Sequence, residues 1–217
     1  MGSACTSTSG HEPRAPREPT VAAIILGAGQ SRRMGEGNKL LVEVDGAPMI
    51  ARVVAAVLAT RARPVVVVTG HDAASVRGAL SGQEVTFVHN PRYAEGMSTS
   101  LRAGIKGIGD VDGALICLGD MPRIRPADLE ALLCAFAPDG GRPIVVPTWQ
   151  GRRGNPVLFA ARYFPEMCAL TGDVGARVVL EKHATAVCSV AMSDHGVTLD
   201  VDTVEALAAL TRLPPAR

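Results

Sequence analysis

Aromatic side chains are scarce: four Phe, two Tyr and one Trp make up 3% of 217 residues. That leaves few of the large, rigid anchors on which tight protein interfaces depend, so only transient partner contacts are expected. Net charge is almost absent as well. With 22 basic and 21 acidic side chains, no field of one sign argues for nucleic acid or an anionic membrane as a partner. The apolar runs are broken by Arg, Gly or Pro well before the roughly 20 residues needed to cross a bilayer. The cysteines (Cys5, Cys117, Cys134, Cys168, Cys188) number five, are scattered, and never fall at C-x-x-C spacing. This predicts reduced thiols and a cytoplasmic location, with Cys117 inside "GALICLGD" as a small core residue. His89, His183 and His195 lack ligand spacing such as H-x-x-x-H, which excludes a zinc site of the usual kind. The first 19 residues mix Ser, Thr, Pro, Arg and Glu without an apolar h-region, so they are expected to form a disordered tail rather than a secretory signal.

What the chain has is apolar content, 47%, enough for one core, and residues 20–213 are expected to form a single domain. Short β-branched runs alternate with helical spacing. The strand candidates are "VAAIIL" (21–26), "PVVVVTG" (64–70), "VTFVHN" (85–90), "GALICLGD" (113–120), "PIVVPTW" (143–149) and "AVCSVAM" (186–192), with "GRRGNPVLF" (151–159) as a turn into a strand. Near-continuous apolar strands suit a sheet covered on both faces. Helix candidates are "PMIARVVAAVLAT" (48–60), with Pro48 at its start, "DAASVRGAL" (72–80), "STSLRAGIKGI" (98–108), "RPADLEALLCAF" (125–136), "GARVVLEKH" (175–183) and "DTVEALAAL" (202–210), the last capped by Asp202 or Thr203. The expected fold is an α/β three-layer sandwich with a mostly parallel, Rossmann-like central sheet and ligands over the carboxyl ends of its strands.

The first strand runs straight into "GAGQSRRMGEGNKLL" (27–41). Gly27, Ala28 and Gly29 have little or no side chain, so the backbone can turn sharply and offer its N–H groups to an anion. Arg32, Arg33 and Lys39 follow closely enough to neutralise phosphate charge. The stretch matches neither G-x-x-x-x-G-K-[ST] nor G-x-G-x-x-G, which argues against a P-loop NTPase and a dinucleotide-binding dehydrogenase. A second element, "CLGDMP" (117–122), puts Asp120 at the carboxyl end of a buried strand, beside the same crevice and suited to carry Mg²⁺. The plainer role for Asp120 is a turn or cap carboxylate.

The order L-x-x-G-x-S-x-R-M-G…K, then "VTGH", "HNPRYAEGMSTSLRAG", "GDMP", "GRRGNPVLF" and "LDVDT" resembles the molybdenum cofactor cytidylyltransferases, within the wider superfamily of nucleotidyltransferases. The likeness runs from residue 21 to residue 210. It implies the nucleotide-diphospho-sugar transferase-like version of the fold. It also implies roles. Leu26, Gly27, Ala28, Gly29 and Ser31 would meet the nucleotide, and Arg33 and Lys39 its triphosphate. Asp120 would bind Mg²⁺ together with Asp200 or Asp202. His71, Asn90 and Ser98 would lie near the nucleotide, while Ser100, Arg153, Asn155 and Asp173 would meet the acceptor. Arg33, Lys39 and Asp120 would act directly in catalysis. Plainer alternatives stand beside several of these: helix capping for Ser98 and for one of Asp200 and Asp202, solvated loop charge for Arg152 and Arg153, and a local hydrogen bond for His71.

The reaction so implied is transfer of CMP from CTP to molybdenum-bound molybdopterin, giving the cytosine dinucleotide cofactor and pyrophosphate, with a molybdenum hydroxylase apoprotein as possible recipient. The chain departs from the family's two alanines before the glycine, reading Leu26-Gly27-Ala28-Gly29. Related Mg²⁺-dependent transfer using GTP or another phosphate acceptor therefore stays open, as does a non-catalytic maturation factor that carries the cofactor.

Overall fold

The computed structural model of the chain describes residues 17–30, 37–203, 206, 207 and 210. Its centre is built from the β-branched runs. Strands β1 (Val21–Gly27), β4 (Val65–Thr69), β5 (Thr86–His89), β6 (Gly113–Leu118), β7 (Ile144–Trp149), β9 (Val157–Ala160) and β10 (Val187–Ala191) lie side by side in the order β10-β7-β9-β6-β1-β4-β5. All neighbours are parallel except β9, which runs antiparallel between β6 and β7. The short β8 (Arg152–Arg153) pairs back on β7. A two-stranded hairpin of β2 (Glu43–Val44) and β3 (Ala47–Pro48) stands apart from this sheet.

Helices cover both faces, because alternate strand residues point to opposite sides and both sides are apolar. Helix α1 (Met49–Leu58) sends Ile50 toward Gly27 on one face, and α4 (Pro126–Ala135) packs on the same side. Helix α3 (Met97–Gly107) lies on the other face against Ile24 and Val68, with α5 (Phe164–Ala169) beside it. Helices α2 (Ala73–Ala79) and α6 (Arg177–Lys182) complete the described set. The core that results is continuous, and Ile24, Ile25, Val66, Val67, Leu115 and Leu158 are fully buried within it. Cys117 is 1% exposed, and burial pushes its thiol far above the usual range, which agrees with a core role.

Several local expectations change. Pro48 is the N-cap of α1, and its last strand residue, rather than the first helical position. The β2–β3 hairpin and α5 were not foreseen. The hairpin turns on Asp45-Gly46, both at positive φ (49° and 81°), the pattern of a two-residue turn matched to strand twist. Ser98 does not cap α3: Gly96 holds the N-cap, at φ 113°. The closing helix is described only at residues 206, 207 and 210; there Thr203 accepts from the N–H of Ala206 (3.1 Å) and of Leu207 (3.0 Å), so Thr203, not Asp202, is the cap. Arg17 and Glu18, placed in the tail by composition, make ion pairs with Asp112 (2.7 Å) and Arg61 (3.2 Å). No described helix is long and apolar enough to cross a membrane.

Gly104 sits mid-helix in α3, where glycine ordinarily weakens a helix by about 0.5–1 kcal/mol relative to alanine. Here a Cβ would come within 2.4 Å of Ile24 Cγ2 and 3.1 Å of Val68 Cγ2, both on buried β-branched side chains that cannot swing away. Gly104→Ala is therefore expected to lower stability, by about 1–3 kcal/mol, the usual cost of overpacking. Urea unfolding checks this, and a midpoint at or above that of the wild type contradicts it.

Candidate functional site

Parallel strands end at one edge of the sheet, and β1 and β6 are the neighbours at its centre. Beyond their pairing, the N–H of Gly119 donates to the carbonyl of Leu26 at 3.1 Å. A Cβ on Gly119 would lie 3.0 Å from that same oxygen, so glycine permits the approach. The turn after β1 and the residue after Gly119 are thereby fixed side by side. They wall a cleft of about 490 Å³ lined by Leu26, Ala28, Gly29, Gln30, Lys39, Leu40, Ser100, Leu118, Asp120, Asp173 and Asp202, with Tyr93 to Met97 along one flank.

Lys39 begins a short 3-10 turn (Lys39–Leu41) whose entry is held by Asn38, the side chain of which accepts from the N–H of Leu40 at 3.1 Å. Leu40, 4% exposed, pins the turn to the core. The Lys39 ammonium is thus aimed at the edge of the sheet, where it donates to Asp120 Oδ2 and to Asp202 Oδ1, each at 2.6 Å. Asp202 comes from far along the chain. Its segment is tied in by the N–H of Val201, which donates to the Asp120 carbonyl at 3.1 Å, and by a small apolar cluster of Val44, Met49, Val201 and Leu210. Buried Arg123 secures the far end by donating to the Leu210 carbonyl at 3.1 Å.

Burial works against the Lys39 ammonium, but the Asp120 charge and the hydrogen bonds to Asp120 and Asp202 outweigh it and hold the amine above its ordinary value. Burial also dominates at Asp120 and raises its carboxyl above the usual range; Lys39 opposes this, while Asp202 and Asp200 add to it. The lysine is thus held charged by its carboxylate partners, while the aspartate is raised chiefly by its burial. Asp120 Oδ1 is buried and has no hydrogen-bond partner among the described residues. An anionic oxygen left in that state is what a divalent cation with oxygen ligands would take up. The residues present therefore fit a hard cation, with Asp120 and Asp202 as its holders. Among the described residues no group of three or more His, Cys, Asp or Glu is disposed to hold a metal. Substrate phosphates would have to supply the remaining ligands, as they commonly do for Mg²⁺.

The other expected residues divide. Ser100 and Asp173 line the cleft, the latter with its carboxylate accepting from the N–H of Met97 at 3.2 Å. Gly27 is buried beneath the turn. Asn90 and Ser98 do not reach the cleft. Asn90, 3% exposed, donates to Thr99 Oγ1 (2.8 Å) and Ser100 Oγ (3.0 Å); Ser98, 0% exposed, donates to the Gly172 carbonyl (2.7 Å). Their polar atoms are engaged by protein, so they support the wall rather than meet a ligand. His71 is exposed beside the cleft, its Nδ1 3.4 Å from the Tyr93 hydroxyl, in keeping with the local role. Arg153 is exposed on the β7–β8 hairpin, Asn155 is half-buried after it, and Asp200 is exposed; none lines the cleft. Ser31 and Arg33 lie outside the described residues.

Tyr93, Met97 and Gln30 line the cleft without having been singled out. Met97 carried a signal in retrospect, a large apolar side chain between Gly96 and a row of hydroxyls, and it is 41% exposed. A wider hollow of about 1000 Å³ lies between α1 and α4, but small alanines line much of it and its arginines Arg52 and Arg125 are paired with Asp45 and Asp128. The residues with chemistry to offer are in the smaller cleft.

Residues 23–187 match the family described as MobA-like NTP transferase domain. A "Nicotine blue oxidoreductase" of Paenarthrobacter nicotinovorans is 28% identical over 192 residues, covering 86% of this chain and 94% of that protein. The "Purine catabolism protein PucB" of Bacillus subtilis (strain 168) is 31% identical over 199 residues, covering 87% and 95%. Among solved structures, a nucleotidyl transferase from Methanothermobacter superposes with TM-score 0.77 at 23% identity, covering 88% of this chain and 96% of that one. Rv0371c of Mycobacterium tuberculosis H37Rv, in complex with manganese, gives TM-score 0.73 at 24% identity, covering 90% and 100%. At these identities the structures establish the shared fold.

Removing Lys39 leaves Asp120 buried beside like charge. Lys39→Met is expected to lose about 1–3 kcal/mol near pH 7, less than the ~3–5 of a fully buried broken pair. The sign follows from linkage: a carboxyl whose folded pKa is raised above its unfolded value costs nothing below the unfolded pKa, and the cost grows as pH rises from there to the folded one and is constant above it. The deficit relative to wild type should therefore shrink as pH is lowered from neutrality toward the ordinary carboxylate range in urea unfolding, and a constant deficit contradicts the assignment.

Proposed function

Because the chain belongs to the MobA-like NTP transferase family, we propose that it transfers CMP from CTP to molybdenum-bound molybdopterin, releasing pyrophosphate. The observation that carries the reading is the convergence of the Gly29 turn, the Lys39 ammonium and the Asp120–Asp202 pair in one cleft at the carboxyl edge of β1 and β6. A cleft with that lining suits a nucleoside triphosphate, with backbone N–H groups and an ammonium for the phosphates. The manganese bound by Rv0371c supports a divalent cation here as well.

In the proposed reaction an oxygen of the acceptor phosphate attacks the α-phosphorus of CTP, and the bond from that phosphorus to the bridging oxygen of the β-phosphate breaks. Attacker and target are both anions, so their approach has to be screened. Lys39 holds a proton firmly, which suits it to stabilise charge growing on the departing pyrophosphate. The bare backbone at Ala28 and Gly29 admits the nucleotide close to β1, and the wall from Tyr93 to Ser100 fixes the position of the acceptor. Mg²⁺, held by Asp120 and Asp202, would supply further charge neutralisation at the phosphates. No general base is required, since a phosphate monoester is already anionic near neutral pH.

The choice of acceptor rests on "NPRYAEGMSTS" and "GRRGNPVLF", because the two full-length relatives carry different names and do not select one. The single alanine in Leu26-Gly27-Ala28-Gly29 favours keeping GTP as the alternative donor. Purified protein with Mg²⁺, molybdopterin cofactor and each of CTP, GTP, ATP and UTP in turn decides between them by pyrophosphate release. CTP is expected to lead, and release with none of the four ends the proposal. Asp120→Ala should abolish release while cofactor binding persists; unchanged maturation of a hydroxylase in cells by that variant would mark a carrier instead. In the presence of a non-hydrolysable CTP analogue, Asp202→Asn should weaken Mn²⁺ binding on the order of 10- to 100-fold and exposed Asp200→Asn by about twofold or less. The reverse order would exchange their roles.

A further inference from the structure

The most unusual feature of the cleft is what stands where a cation should. Lys39 Nζ lies 2.6 Å from Asp120 Oδ2 and 2.6 Å from Asp202 Oδ1, with the Lys39 and Asp120 side chains each only 15% exposed. An ammonium so placed draws together the two carboxylates that would otherwise repel, and it does so with the lone pairs a metal would need. We propose that Lys39 is the resident cation of this site: it holds Asp120 and Asp202 together in the free protein, keeps divalent ions out, and yields to one only when a nucleoside triphosphate draws its ammonium away. This rests on the reading of the cleft as a metal–nucleotide site.

Four considerations bear on it. The two cations cannot share one pair of carboxylate oxygens, since like charges at that separation in a partly buried cleft repel strongly. Lys39 is able to move, because its 3-10 turn is anchored through Leu40 and Asn38 rather than through the ammonium, and four methylenes separate Nζ from the backbone. It also has somewhere to go, because the bare turn at Gly29 shares the cleft and a triphosphate there offers more negative charge than the two carboxylates. Asp120 Oδ1 is buried and makes no hydrogen bond among the described residues, so once the ammonium has left Oδ2 both oxygens of Asp120 can serve the incoming ion. The consequence is an order of events. Metal arrives with the triphosphate, and the free enzyme stays metal-poor.

The test measures Mn²⁺ binding without any nucleotide, from the electron paramagnetic resonance signal of the free ion. Lys39→Met is expected to bind Mn²⁺ about tenfold or more tightly than wild type, a coupling of the ordinary size between competing ligands. Lys39→Gln, whose amide still donates to one carboxylate, should fall between the two and serves if Lys39→Met does not fold. Circular dichroism verifies that each variant is folded. Equal or weaker binding by a folded variant overturns the inference while leaving the metal–nucleotide reading intact. Absence of Mn²⁺ binding by all three proteins, even with a non-hydrolysable CTP analogue present, overturns both.

Discussion

The hydrogen bond from Gly119 N–H to the Leu26 carbonyl, 3.1 Å long, is the hinge of the architecture. It extends the pairing of β1 with β6 by one step beyond the strands, and that step brings a bare turn and a half-buried aspartate to the same edge. Everything chemical follows from it. On either side the sheet supplies rigidity: β1 pairs with β4 as well as β6, and both of its faces are covered by helices. The site is therefore held by the best-packed part of the molecule. Its reactive groups stand on the loops that leave the sheet, where backbone can meet a ligand.

The second constraint is charge. Asp120 is buried far enough that ionisation is disfavoured, yet it keeps Lys39 and Asp202 as neighbours. A buried carboxylate with an ammonium is not by itself a source of stability, because desolvation offsets most of the attraction. The arrangement makes sense as preparation for a ligand that brings both charge signs at once, a metal with a triphosphate. The route by which Asp202 reaches the site supports this view. Gly154 passes so close to Val197 that a Cβ would clash with its carbonyl, the N–H of Asn155 donates to that same oxygen at 2.7 Å, and Val201 then donates to the Asp120 carbonyl. The "GRRGNP" turn thus steers the last segment toward Asp120, whatever its arginines contact.

Much of this was legible in the sequence where one residue type has one physical meaning. The unbroken apolar runs of β1, β4, β6 and β7 predict a doubly covered sheet, and the strands observed agree within one or two residues. Asp120 stands out as the charged residue at the end of such a run and Lys39 as a cation in the loop that follows β1, and the structure joins them. Polar residues inside "HNPRYAEGMSTS" were harder. A serine or asparagine can cap, line a cleft or brace a loop with the same atoms, and only tertiary contacts tell these apart. Asn90 and Ser98 brace; Ser100 lines. Short elements were harder still: β2, β3 and α5 are too brief for periodicity to register. The ambiguity between Asp202 and Thr203 as the cap was resolved by a hydroxyl at 3.1 Å from an N–H, a distance no pattern of residues contains.

The central claim is that this edge of the sheet is built for a divalent cation carried by a nucleoside triphosphate. It is tested most directly by the anomalous scattering of crystals grown with Mn²⁺ and a non-hydrolysable CTP analogue. The account requires the manganese peak within bonding distance of both Asp120 and Asp202, the phosphates over the Gly29 turn, and the Lys39 ammonium moved from the carboxylates onto the triphosphate. Manganese bound elsewhere, or nucleotide bound with Lys39 still bridging Asp120 and Asp202, would contradict it.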